Sequence, residues 1–129
     1  MTITIKDETF AGKILNEIQL QFQSSSVTVS DIISSRVKKE VETYNNKLPE
    51  YFTGLVEPTE AEKTLNGYKL KNRKLIDAEK QVYVALDAFQ KNGFFVLIDN
   101  QQSESLTQQV ELHPHTTISF IKLTPLVGG

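Results

Sequence analysis

The chain has 129 residues, 39% of them hydrophobic and 23% charged, and its 14 basic and 16 acidic side chains leave a net charge of −2. That is the composition of one soluble globular domain, and it excludes the general electrostatic pull of a basic protein toward nucleic acid or an anionic membrane. Cysteine is absent, which excludes disulfides, thiolate nucleophiles and cysteine-based zinc sites.

The N-terminal residues Met1 to Lys6 alternate, with Ile3 and Ile5 set between Thr2, Thr4 and Lys6. This is the period of a half-buried strand and not the apolar core of a signal peptide. Nor does any apolar run approach the roughly 20 residues of a membrane helix, so a cytoplasmic protein is expected. Ala11-Gly12-Lys13 supplies a turn, and Ile18, Leu20 and Phe22 alternate again, which predicts a β-hairpin. Ser24-Ser25-Ser26 breaks the second strand. Thr28-Val29-Ser30-Asp31 then opens a helix: Thr28 can accept from the backbone N–H three residues on, and Asp31 suits the positive end of the helix dipole. Ile33, Val37, Val41 and Tyr44 share one face of it, while Lys38, Lys39, Glu40 and Glu42 lie largely elsewhere, and the helix is expected to fade at Asn45-Asn46.

From Pro49 to Pro58 the chain reads as a loop with embedded apolar residues. Thr59-Glu60-Ala61-Glu62 has the form of a capping box and Asn66-Gly67 that of a helix stop, which predicts a short helix. Tyr68 to Lys74 is basic and reads as extended. Asp77 to Gln90 is a second helix, with Leu75, Ala78, Val82, Leu86 and Phe89 on one stripe and Asn92-Gly93 at its end. Phe94 to Ile98 is an apolar run of strand length, Asp99-Asn100 turns the chain, and Thr117 to Leu123 forms the last long strand. Pro125 cannot donate to a ladder, so Leu126-Val127-Gly128-Gly129 should leave the sheet as a flexible tail of about 125–129. Together these elements predict a single α+β domain with helices on one face of a mixed sheet.

Hairpin, helix opening on Val27 to Ile33, late strands and a terminal Gly-Gly: this order resembles the ubiquitin-like β-grasp superfamily. Phe95 to Gln101 and Ile118 to Gly129 are most similar to bacterial sulfur carriers, among them the small subunit of molybdopterin synthase and the thiamine sulfur carrier, and to bacterial ubiquitin-like modifiers. The resemblance covers residues 1–45 and 94–129, about two-thirds of the chain. Residues 46–93 have no counterpart in the minimal carriers and read as a helical insertion. His113-Pro114-His115-Thr116 stands where those carriers have a Gly-Asp turn.

The resemblance implies a carrier or modifier that is not itself an enzyme and needs no cofactor. A ubiquitin-activating-like adenylating enzyme would convert the Gly129 carboxylate into an acyl-adenylate, and Gly128, with no Cβ, would help the tail thread a narrow channel. A nucleophile of a conjugating partner or target would then take the acyl group, or a sulfur-transfer enzyme would turn it into a thiocarboxylate. Ile121, Leu123, Leu126 and Val127 are the expected contacts to the activating enzyme. A third reading is a non-covalent interaction module that keeps only the fold.

Other features favour ordinary explanations. His113 and His115 could share a metal but lack a nearby third ligand other than Glu111, so a solvated turn and no metal are expected. Lys69, Lys71, Arg73 and Lys74 form a basic cluster too local for a nucleic-acid face and suited to a solvated segment or an acidic partner. Ser24 to Ser26 has neither a histidine nor a nucleophile elbow beside it. No glycine-rich phosphate loop is present, so the chain itself should not bind ATP.

Overall fold

A computed structural model of the chain describes residues 1–47 and 75–122, together with the backbone of three short strands in between. In chain order the elements are β1 (Thr2–Glu8), β2 (Ile14–Gln21), β3 (Ser26–Thr28), α1 (Val29–Lys47), β4 (Tyr51–Phe52), β5 (Ala61–Lys63), β6 (Tyr68–Leu70), α2 (Ala78–Gln90), β7 (Phe94–Ile98), β8 (Gln101–Gln102), β9 (Gln109–Glu111) and β10 (Ile118–Lys122). The fold is α+β, as expected. A five-stranded mixed sheet runs in the order β2-β1-β10-β7-β8, and smaller sheets pair β3 with β9 and β6 with β4 and β5.

The expected hairpin is present. β1 and β2 are antiparallel, with Ile3 opposite Leu20 and Ile5 opposite Ile18. Its turn is closed by the Gly12 N–H donating to Thr9 O at 2.9 Å and the Lys13 N–H donating to Thr9 Oγ1 at 3.1 Å. Gly12 has φ +87°, a conformation that a Cβ would strain. The ladder slips between Asp7 and Glu8, where Leu15 is left over as a bulge. Beside β1 lies β10, and this pair is parallel, with Ile5 opposite Ile118 and Asp7 opposite Phe120. β10 and β7 are antiparallel. β7 turns into β8 through Asp99 (φ 49°) and Asn100 (φ 66°), the left-handed pair that a two-residue hairpin requires.

α1 begins where Thr28 and Asp31 announce it. The Asp31 N–H donates to Thr28 Oγ1 at 3.1 Å and the Thr28 N–H to Asp31 Oδ2 at 2.9 Å, a reciprocal cap. Two more first-turn donors, the N–H groups of Val29 and Ser30, reach the carbonyls of Gln108 and Leu106. Val29, Ile32, Ile33, Val37, Val41 and Tyr44 are buried against the sheet, where they meet Ile3, Ile5, Val96, Ile118 and Phe120. The buried stripe is wider than the periodicity of Ile33, Val37, Val41 and Tyr44 indicates, and it takes in Glu40, which was expected outside it. The helix also continues past Asn45, whose amide clamps the backbone just before α2: Nδ2 donates to Ile76 O at 3.0 Å and the Ile76 N–H donates to Oδ1 at 2.8 Å.

α2 is capped by Asp77, which accepts from the N–H groups of Glu79 and Lys80. It ends in a Schellman motif, with Gly93 N–H donating to Ala88 O at 2.7 Å and Asn92 N–H to Phe89 O at 3.1 Å. Here Asn92, at φ 61°, takes the left-handed position. Leu75 does not belong to the buried stripe: it precedes the helix and is 72% exposed, and the neighbouring Ile76 is buried instead.

The middle of the chain departs further from expectation. Ala61–Lys63 is a strand and not part of a helix; it pairs antiparallel with β6, Glu62 opposite Lys69. The Thr59 to Glu62 pattern is a local signal, and the ladder with β6 is a non-local one that overrides it. Tyr51–Phe52 also pairs with β6. The insertion of 46–93 is thus not simply helical: its described part holds three short strands as well as α2. Asn66-Gly67 lies outside the described residues.

Removing the cap of α1 tests the first of these links. Thr28→Ala is expected to lower stability by about 0.5–2 kcal/mol, read from the midpoint of urea unfolding, with an unchanged slope.

Candidate functional site

β10 has two faces with different roles. Ile118 and Phe120 point toward α1 and are buried, so Ser119 and Ile121 point to the opposite side of the sheet. Ile121 stands opposite Phe95 of β7 and is half-buried, and Phe95 meets Phe10 of the β1–β2 turn edge-to-face at 6.1 Å. Phe10 itself is 69% exposed. The outer face thus carries an apolar group, Phe10, Phe95 and Ile121, next to the end of β10 at Lys122. Leu123, Leu126, Val127, Gly128 and Gly129, the other residues singled out for the tail, lie outside the described residues.

On the inner face the chemistry is ionic. Arg36 of α1 is 1% exposed, a burial that sequence spacing does not reveal. Its guanidinium holds Asp7 of β1 bidentately, Nη2 to Oδ2 at 2.6 Å and Nη1 to Oδ1. It also donates through Nε and Nη2 to Glu40 Oε1, at 3.0 and 2.6 Å. Its Cζ lies 4.6 Å from the centre of the Phe120 ring, a distance for a cation–π contact. Burial alone would lower its pKa. The hydrogen bonds that Arg36 donates to Asp7 and the charges of Glu40 and Asp7 outweigh burial and hold Arg36 above its ordinary value. It is a permanent cation with two carboxylates, and it is enclosed between α1 and the sheet, so its place in the fold is structural. Tyr44, also buried, has its phenol pushed up by desolvation.

The histidines form the turn expected of them. The His113 N–H donates to Thr116 Oγ1 at 2.8 Å, and the Thr116 N–H to His113 O at 3.0 Å. His113 Nε2 is 3.8 Å from Asp99 Oδ2, and both side chains are about half exposed. Among the described residues no group of three or more His, Asp or Glu side chains is placed to hold a metal, and no helix is long and apolar enough to cross a membrane. The basic residues Lys71, Arg73 and Lys74 lie outside the described residues; Lys69 is described only as backbone in β6.

Two clefts meet at the β8 edge, where sequence reasoning proposed nothing. One, of about 620 Å³, lies between the end of α2 and β7, with Phe89, Phe94 and Leu106 as apolar wall. The other, of about 570 Å³, runs along β8 and β9 past Asp99, Glu104 and Glu111. Gln102 and Glu104 line both. The only signal in the sequence is three carboxylates spread over a glutamine-rich stretch, which becomes a surface once the hairpin and β9 bring them together.

No family model, curated protein or solved structure matches this chain. Its own residues carry the functional reading.

Replacing Arg36 by Ala removes the guanidinium that Asp7 and the buried Glu40 share. A loss of about 3–5 kcal/mol is expected in chemical unfolding, and a loss below about 1 kcal/mol would show that the carboxylates do not depend on it.

Proposed function

We propose that the protein is a β-grasp carrier or modifier of the ubiquitin-like kind, acting through its C-terminal carboxylate. The observation that carries the reading is the place of β10. It lies at the centre of the mixed sheet, parallel to β1 and covered by α1, and in sequence it is followed by Leu-Thr-Pro-Leu-Val-Gly-Gly. A sheet built on an N-terminal hairpin, with the first and last strands parallel at its centre and one long helix across it, supports a β-grasp assignment. The outer group of Phe10, Phe95 and Ile121 supports a partner-facing surface beside the end of β10.

In this reading the Gly129 carboxylate attacks the α-phosphorus of ATP on a partner adenylating enzyme. A C–O–P anhydride forms, and pyrophosphate leaves. A nucleophile then attacks the acyl carbon, and AMP leaves with the bonding electron pair. An amine, hydroxyl or thiol yields a conjugate; sulfide yields a thiocarboxylate directly, and a persulfide yields an acyl disulfide that a thiol of the sulfur-transfer partner must cleave, forming its own disulfide, to release the thiocarboxylate. Conjugation to protein is the primary assignment. Gly128 and Gly129 suit the step because the absence of Cβ lets a chain end enter a narrow channel. Leu123, Leu126 and Val127 join Ile121 as the proposed contacts to the activating enzyme.

The experiment is ATP–pyrophosphate exchange with an adenylating enzyme of the ubiquitin-activating type. Deleting Gly128-Gly129 is expected to abolish exchange and leave the unfolding midpoint unchanged. Ile121→Asp should weaken exchange while the circular dichroism spectrum stays the same. Exchange that survives the deletion would overturn the assignment. Intact mass of the product separates the two chemistries, since one oxygen-to-sulfur replacement marks a carrier and a larger adduct marks a modifier.

A further inference from the structure

Among the described residues β8 is an edge of the five-stranded sheet. Beyond it the Ser103 N–H still donates to Val96 O at 2.8 Å. Residues of an antiparallel pair alternate between bonding inward and facing outward. Gln102, one position earlier and opposite Leu97, therefore turns its N–H and C=O away from β7, toward the open edge. An unpaired strand edge is a template for another extended chain.

The surroundings of that edge are specific in charge. Asp99 accepts from the Thr117 N–H at 2.9 Å and from Thr117 Oγ1 at 3.3 Å, with His113 Nε2 at 3.8 Å from its other oxygen. Glu104 and Glu111 are exposed and line the acidic cleft, and among the described residues neither cleft is lined by a lysine or arginine. The cleft on the other side of Gln102 is mainly polar in its lining and has Phe89, Phe94 and Leu106 as its apolar part. Ser103, which also lines it, is 4% exposed, and its Oγ has no hydrogen-bond partner among the described residues. A buried hydroxyl left unpaired is unfavourable and calls for a partner from whatever fills the cleft.

We propose that the β8 edge and its two clefts bind an extended segment of a partner protein, one that carries an apolar side chain and a lysine or arginine. The segment adds a strand at Gln102, its apolar side chain enters beside Phe89 and Phe94, and its cation meets Glu104 and Glu111. A polar group of the segment satisfies Ser103 Oγ. An anionic membrane or nucleic acid is disfavoured by the same carboxylates. Binding at this site is expected to be the same with and without Gly128-Gly129, which separates it from the proposed chemistry of the chain end.

The test uses the full-length, nitrogen-15-labelled protein and an end-blocked peptide, Thr-Leu-Thr-Phe-Lys-Val-Lys. Its amide shifts are expected to centre on Gln102, Ser103 and Glu104. The double variant Glu104→Lys/Glu111→Lys, altered only at exposed positions, should keep a dispersed spectrum and bind about tenfold more weakly or worse. Replacing the peptide lysines by glutamate should abolish binding, and replacing its phenylalanine by serine should weaken it. Ser103→Ala should weaken it by a smaller factor. Equal binding by the charge-reversed variant, shifts centred on β2 or α1, absence of shifts, or equal affinity for free spermine would each overturn the proposal.

Discussion

Burying the guanidinium of Arg36 strips it of water, a cost of several kcal/mol for an ion in a protein interior. The structure offsets that cost with groups from three separate elements: Asp7 from β1, Glu40 from the next turn of α1 and the ring of Phe120 from β10. The contacts to Asp7 and Phe120 do not survive a shift of the helix along the sheet, whereas Glu40 moves with it. The bidentate geometry to Asp7 fixes both the height and the rotation of α1. Asp7 lies at the slip in the β1–β2 ladder, so the irregular end of the hairpin and the middle of the helix are tied to one another. Charge pairs of this kind are poor sources of net stability, but they discriminate strongly against other packings once the partners are in place.

From Phe120 the order passes outward through aromatic rings. Phe120 stacks on Phe94 with centroids 5.7 Å apart, and Phe94 meets Phe89 of α2 at 5.9 Å. The second helix is therefore located by β7, while Asn45 locates the segment just before it. This arrangement leaves two features of different kind at the surface. One is the outer face of β10 and β7, apolar and close to where the last strand stops. The other is the β8 edge, where the apolar wall supplied by Phe89 and Phe94 meets carboxylates. Both draw on the same few central residues, which gives each of them a rigid support.

Local chemistry was legible in the sequence and non-local pairing was not. Thr28 with Asp31, Gly12 in its turn, Asp77 before α2 and the run from Phe94 to Ile98 each report on contacts a few residues away, and each is found where the residues indicate. Glu40 looked like a solvated residue because an i,i+4 pair with Arg36 is common on exposed helix faces, and its burial, with Asp7 sharing the cation, emerges only once α1 lies on β1. The pattern from Thr59 to Glu62 has the form of a helix start, yet Ala61–Lys63 pairs with a strand later in the chain. Alternation in β10 leaves open which of its faces is inward, and the burial of Ile118 and Phe120 answers that. The β8 clefts draw on α2, β7, β8 and β9, and no spacing rule joins residues so arranged. Of the tail residues, only Ile121 is within the described chain.

The parallel pairing of β1 with β10 also has a kinetic side. More than a hundred residues separate the partners Ile5 and Ile118, and closing so long a loop must precede any gain from their contact. On a ribosome the hairpin and α1 emerge early, yet they have no middle strand to complete their sheet until β10 is free of the exit tunnel. Until then the inner edge of β1 stays open, exposed to other chains that could pair with it. The core closes only when nearly the whole described chain has been made. Under the proposed function, a chain end that follows β10 in sequence would be offered by finished molecules and not by partly folded ones.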